Sequence, residues 1–267
     1  MSTRIERRFD WLKSRRQKGF IAYITAGDPT LKATAEIVLR LEDAGVDIVE
    51  LGIPFSDPLA DGRVNQQAAT RALAHGTTLD GVLNCVSEIR KKSDIPIMFY
   101  SYLNLLIARG FENTIRRAAG AGADGFLILD LPVEESAQYG EILERHHLNN
   151  ICLVAPTSPD ERIRRIVRAS TGFVYCVSRE GVTGMQKNLS PAAVSLIKKT
   201  KRLTKLPVVL GFGISSPAQA QAAAREADAI VVGSAIVDRF ASEPRTSRGR
   251  AKAAAWVRIL VQAVRRV

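Results

Sequence analysis

Two carboxylates stand where acids have little structural reason to be. Glu50 closes the apolar run DIVEL (47–51), and Asp61 follows in the segment LGIPFSDPLADG (51–62), with Asp57 between them. An acid beside an apolar strand end is partly desolvated, which favours its neutral form and brings its proton affinity toward the working range. That suits a group that must both give and take a proton. Glycines supply a second chemistry: GVTG (181–184), GFGIS (211–215) and VVGSAI (231–236) each lie at or just after an apolar run. Glycine lets backbone N–H groups approach an anion, a helix N-terminus adds partial positive charge, and Ser234 adds a hydroxyl donor. One such glycine is a turn residue. Three segments that converge point to a bound phosphate.

Convergence requires a scaffold, and the apolar runs define it. FIAYIT (20–25), DIVEL (47–51), IPIMFY (95–100), GFLIL (125–129), NICLV (150–154), GFVYCV (172–177), LPVVLG (206–211) and DAIVVG (228–233) read as eight strands. Near-continuous apolar character means strands covered on both faces, and helical spacing between them means parallel pairing. Segments such as 33–45 and 218–227 carry apolar or small residues at helical spacing. AGVDIVELGIP, AGADGFLILDLP and READAIVVGSAI repeat one pattern of helix end, Asp and apolar strand. Eight such units predict an α/β (βα)8 TIM barrel of the phosphate-binding type, as one domain over 1–267; a doubly wound open sheet is the alternative. Ile5, Phe9 and Leu12 share one face of a helix that caps the barrel bottom, and Trp256, Leu260 and Val264 one face of the helix that closes the ring. The polar stretch 241–250 reads as a flexible surface loop. In a barrel of this kind the working residues stand at the C-terminal strand ends, which selects Thr25 with Asp28, Glu50, the stretch 100–104, Asp130, Tyr175 and the glycine turns.

Composition narrows the chemistry. None of the eight strands contains the lysine that a Schiff-base aldolase needs, and the histidines, His75, His146 and His147, lack metal-ligand spacing and read as surface residues. No metal site is expected, and carboxylate acid/base chemistry remains. The formal charge of +11 sits at the ends: seven Lys or Arg against two acids over 1–18, and eight against one over 239–267. The middle is near neutral, so neither nucleic acid nor membrane is an expected partner, and the basic ends read as an aid to solubility or weak attraction. Cys85, Cys152 and Cys176 read as buried free thiols of a reducing cytosol. No apolar stretch is long enough to cross a bilayer, and the N-terminus lacks an export core, so a cytoplasmic location is expected.

LGIPFSDPLADG, LDLPVEES, YCVSREGVTG, PVVLGFGIS and VVGSAI together resemble the signatures of the tryptophan synthase α chain family, with the likeness running from about Phe20 to Phe240. The resemblance implies cleavage of indole-3-glycerol phosphate to indole and glyceraldehyde 3-phosphate. It assigns Glu50 to acid/base work at substrate C3 and the side-chain hydroxyl, and Asp61 to the indole N1–H. It makes Tyr175 and Thr183 substrate contacts, and Gly184, Gly213, Gly233 and Ser234 the phosphate donors. It also implies no cofactor in this chain and a pyridoxal-phosphate β subunit as partner in an α2β2 tetramer, touching the segments near 54–57 and Asn104. A stand-alone indole-releasing lyase and a silent activator of a β subunit are the alternatives. Arg63, Asn65 and Leu105 depart from the family's usual residues and bear on loop geometry and partner fit.

Overall fold

The computed structural model describes residues 2–177, 190–211 and 213–267. Eight parallel strands close into a barrel in sequence order: β1 (Gly19–Thr25), β2 (Ile48–Gly52), β3 (Ile97–Ser101), β4 (Gly125–Ile128), β5 (Asn149–Val154), β6 (Val174–Val177), β7 (Val208–Gly211) and β8 (Ala229–Val232), with β8 pairing β1. The expected barrel is borne out and the open sheet is not. Twelve helices lie among the described residues: α1 (Arg4–Ser14), α2 (Leu31–Asp43), α3 (Arg63–Ala74), α4 (Leu79–Arg90), α5 (Leu103–Ile107), α6 (Phe111–Ala121), α7 (Ser136–Arg145), α8 (Asp160–Ala169), α9 (Pro191–Leu203), α10 (Pro217–Glu226), α11 (Ser234–Ser242) and α12 (Ser247–Arg265).

Local sequence sets where the helices begin. Thr3 and Glu6 form a reciprocal capping box on α1, and the side chains of Thr30, Thr78, Ser190, Ser216 and Thr246 cap α2, α4, α9, α10 and α12. Pro191 and Pro217 occupy first turns, where a missing N–H costs nothing. The stretch 241–250 is therefore mostly not a loop. Only 243–246 separate α11 from α12, because Thr246 starts a helix whose first turn holds Arg250 against Glu36. Gly249 is needed there, since a Cβ would strike the Pro244 carbonyl.

Two apolar layers form. Outward-facing residues of the strands pack against the ring of helices, α12 included through Val257, Leu260 and Val264. Inward-facing residues alternate with them, as a pleated strand dictates, and Ile21, Ile48, Met98, Leu127, Ile151, Phe173 and Val209 fill the barrel. The floor is α1, as its apolar face predicts: Ile5, Phe9 and Leu12 are buried, and Phe9 meets Phe173 at 5.6 Å between ring centres.

The aspartate of the repeated pattern has a structural task. Asp47, Asp124 and Asp228 each precede a strand and accept the N–H of the neighbouring strand's start, from Phe20 at 2.7 Å, Ile97 at 2.8 Å and Val208 at 2.9 Å. Each also meets a cation: Arg265 on Asp47, Arg90 and Arg4 on Asp124, Lys201 on Asp228. Arg4, Arg8 and Arg265 belong to the basic ends. Part of that terminal charge is thus structural, and the solubility reading is corrected to that extent.

Candidate active site

At the barrel's other end Glu50, two residues after inward-facing Ile48, points into the interior by strand alternation. It is 1% exposed, and among the described residues its Oε1 has no hydrogen-bond partner. Burial, reinforced by the nearby charge of Asp61, pushes its carboxyl up to about 8. An acid so placed is held protonated near neutrality and can donate.

Asp61 lies at the end of the segment that leaves β2. That segment turns on itself through Leu59 N–H to the Asp57 carbonyl and Asp61 N–H to the Pro58 carbonyl, while the Gln66 amide of α3 donates to the Asp61 carbonyl at 2.9 Å. Both side-chain oxygens of Asp61 are engaged: Tyr100 donates to Oδ1 at 2.8 Å and Tyr102 to Oδ2 at 3.0 Å. Burial raises the proton affinity of Asp61, and the hydrogen bonds from Tyr100, Tyr102 and Asn65 oppose that rise. Donors favour the ionised form, so the two acids occupy contrasting settings: among the described residues no donor reaches Glu50 Oε1, whereas two phenols hold Asp61.

Tyrosines wall the space around them. Tyr23 of β1 sets its ring edgewise on Tyr100 at 5.0 Å, and its hydroxyl lies 3.3 Å from that of Thr25. Tyr175 of β6 is buried, and burial with the charges of Glu50 and Tyr23 makes its phenol harder to ionise. Both rings lean over glycines: a side chain at Gly52 would collide with Tyr23, and one at Gly211 with Tyr175. Gly233 abuts the same group, since a Cβ there would meet Tyr23 at 3.5 Å. It begins α11, whose first turn no side chain caps and whose first residue, Ser234, is exposed. Gly213 faces open space.

The structure therefore brings Glu50, Asp61, Tyr175 and Gly233 around one interior mouth, with Ser234 beside it. Thr183 and Gly184 lie outside the described residues. Tyr100 and Tyr102 lie in the selected stretch 100–104, but their bonds to Asp61 have no signal in the sequence, because a distant segment brings that partner; Tyr23 is not singled out there. Asp130 turns to the backbone instead, accepting from Leu103 N–H at 2.7 Å, and Asp28 pairs with Arg71 of α3 through two bonds of 3.0 and 2.7 Å. No group of His, Cys, Asp and Glu among the described residues is arranged to hold a metal, and no described helix is long and apolar enough to cross a membrane. The three thiols are free, with Cys152 only half-buried. His75 and His147 are exposed, whereas His146 is half-buried beside Glu112. A cavity of about 660 Å³ opens beside the tops of β4 and β5, lined by Leu129, Asp130, Leu153 and Arg162 among others, but neither Glu50 nor Asp61 lines it.

Residues 9–264 match the family model for the tryptophan synthase alpha chain. The tryptophan synthase alpha chain of Geotalea daltonii is 45% identical over 237 residues, covering 89% of this chain and 90% of that protein. That of Geobacter sulfurreducens is 43% identical and covers 98% and 99%. Among solved structures, tryptophan synthase subunit alpha from Legionella pneumophila superposes with a TM-score of 0.91 at 34% identity over the whole of both chains, and a tryptophan synthase chain from M. tuberculosis with 0.87 at 30% over 99% and 100%. Sequence and barrel agree: this chain belongs to the tryptophan synthase alpha chain family.

Proposed function

We propose that the chain cleaves indole-3-glycerol phosphate into indole and glyceraldehyde 3-phosphate, with Glu50 and Asp61 as its proton-handling pair. The observation that carries this reading is the buried Glu50, its Oε1 unpartnered among the described residues, sharing the barrel mouth with a donor-held Asp61. Protonated Glu50 gives its proton to ring C3 while ionised Asp61 takes the N1 proton, which turns the ring into an electron sink. Glu50, now a carboxylate, removes the side-chain hydroxyl proton. The carbonyl forms as the C–C bond breaks, the bond pair moves into the ring, and N1 recovers its proton from Asp61. Atoms and charges balance without a cofactor in this chain, and each positioned acid or base contributes roughly 10² to 10⁴ in rate.

Tyr175 borders the substrate ring, and Gly213, Gly233 and Ser234 receive the phosphate with Gly184, the last from outside the described residues; Thr183, likewise outside them, closes over the site. The uncapped start of α11 supports this placement, because free N–H groups and the helix dipole favour an anion. By family, a β subunit is the partner, carrying pyridoxal phosphate in an α2β2 assembly. Exposed Leu59, on the segment that leads to Asp61, and Ile107, at the end of α5, suit a face that a partner covers. The deciding assay is indole release from indole-3-glycerol phosphate, with and without a β subunit. Failure to release indole in either condition would overturn the reading.

A further inference from the structure

Asp61 cannot aim itself. It sits on a segment whose neighbours Ser56, Asp57, Leu59 and Ala60 are exposed, so its carboxylate takes its direction from whatever holds its oxygens. The two phenols that do so are not equivalent. Tyr102, just after β3, also holds the segment's backbone and ring: besides Asp61 Oδ2, its hydroxyl accepts the Ala60 N–H at 3.0 Å, and its ring lies 5.1 Å from Phe55. Tyr100 belongs to the barrel. It lies within β3, in register with Gly52 and Leu127, its carbonyl accepts Ile53 N–H at 3.0 Å, and its ring is fixed against Tyr23. Its hydroxyl donates to Asp61 Oδ1 at 2.8 Å.

We propose that Tyr100 is a positioning residue that ties Asp61 to the rigid barrel and thereby assigns the two carboxylates their separate tasks, Asp61 as the base for the ring N–H and Glu50 as the acid. The proposal rests on the functional reading of Asp61 given above. Its physical content is one strand-borne hydrogen bond to one carboxylate and, among the described residues, none to the other. A charge-assisted bond of this kind stabilises the ionised acceptor, so Asp61 stays a base despite its burial. The carboxylate oxygen retains a second lone pair to receive the substrate proton. Among the described residues the other groups near Asp61 do not replace this tie: no hydrogen bond joins Tyr23 on β1 or Glu50 on β2 to it, and Asn65 on α3 adds only an amide. Tyr23 and Glu50 instead feel its negative charge.

The test is Tyr100→Phe, which keeps the ring and its contact with Tyr23 and removes only the hydroxyl. The expected result is a fall of about 10-fold or more in kcat with KM changed less than about 3-fold, as a lost charge-assisted bond implies. The acid limb of the kcat/KM profile should move to higher pH, because Asp61 becomes easier to protonate. Tyr102→Phe should instead raise KM, by loosening the segment. Unchanged inhibition by glycerol phosphate in Tyr100→Phe would establish that the variant is folded. A wall residue with no positioning role would leave the acid limb where it is, and that result overturns the proposal. Asp61→Asn separates the two levels: if it stays active, the role of Asp61 itself is wrong, whereas if it is inactive and Tyr100→Phe has the wild-type profile, only the inference about Tyr100 fails.

Discussion

The guanidinium Nη2 of Arg265 lies 2.7 Å from one oxygen of Asp47 and 2.8 Å from the other, joining the last helix to the residue that precedes the second strand. Asp47 is 1% exposed and also accepts the N–H of Phe20. Its burial raises its proton affinity, and Arg265 is the largest opposing influence. A raised folded value means that the ionised aspartate costs stability as pH rises above the ordinary aspartate range, and the cation limits that cost.

Arg265→Ala should therefore destabilise the fold by about 3 kcal/mol at pH 7. The deficit should shrink as the pH falls toward 4, where a protonated Asp47 needs no cation. Urea unfolding at the two pH values reads both effects, and an unchanged midpoint at pH 7 would remove Arg265 from the frame. Arg265→Lys should recover only part of the loss, because an ammonium lacks the planar fork.

This pair also marks how far the sequence could be read. The strands were legible because continuous apolar runs alternate with helical spacing, and Glu50 because an acid ending such a run is anomalous. The repeated Asp was visible as a pattern, but its cations come from distant helices and no local spacing announces them. The same holds for Tyr100 and Asp61, which only the folded segment after β2 brings to 2.8 Å. The stretch 241–250 reads as a loop from its polarity, charge and its Pro and Gly, whereas in the fold Thr246 is a cap and Arg250 is paired with Glu36.

Glu50→Gln is expected to abolish indole release and at the same time stabilise the fold. The folded carboxyl, raised to about 8, favours its neutral form, so the wild type pays a penalty that begins above the ordinary glutamate range near 4.5 and is complete above about 8. The amide cannot ionise and escapes it. The gain should be on the order of 5 kcal/mol at pH 9 and vanish below pH 4. Thermal unfolding across that range tests the sign, and a variant less stable than wild type at pH 9 would mean that Glu50 has a partner when ionised.

Gly233→Asp should remove inhibition by glycerol phosphate while leaving the barrel intact. The φ there, −111°, lies outside the left-handed region that favours glycine, and an added Cβ meets Tyr23 at an ordinary 3.5 Å. What changes is charge, since a carboxylate at the start of α11 takes the place of the phosphate and repels it. Undiminished competitive inhibition in the variant would put the phosphate elsewhere.

The remaining prediction concerns the β subunit. Leu59, 84% exposed, sits two residues before Asp61, and its segment meets the barrel through Tyr100 and Tyr102. A partner that covers Leu59 gains the burial of a leucine side chain, about 1.5 to 3 kcal/mol, and restrains the same segment that carries the base. Binding and catalysis are then coupled through one element. A coupling of about 1 to 3 kcal/mol corresponds to roughly 5 to 150-fold, and by linkage glycerol phosphate should tighten subunit association by the factor by which the β subunit tightens glycerol phosphate. Leu59→Asp should weaken β association at least about 10-fold, since it exchanges apolar burial for a desolvated charge. It should also lower the β-stimulated rate of indole release more than the unstimulated rate. Calorimetric titration of wild type and variant with a β subunit, each with and without glycerol phosphate, measures all four corners of the cycle. Equal β affinity in the two proteins would place the interface away from this segment, and equal affinity with and without glycerol phosphate would uncouple the Asp61 segment from assembly.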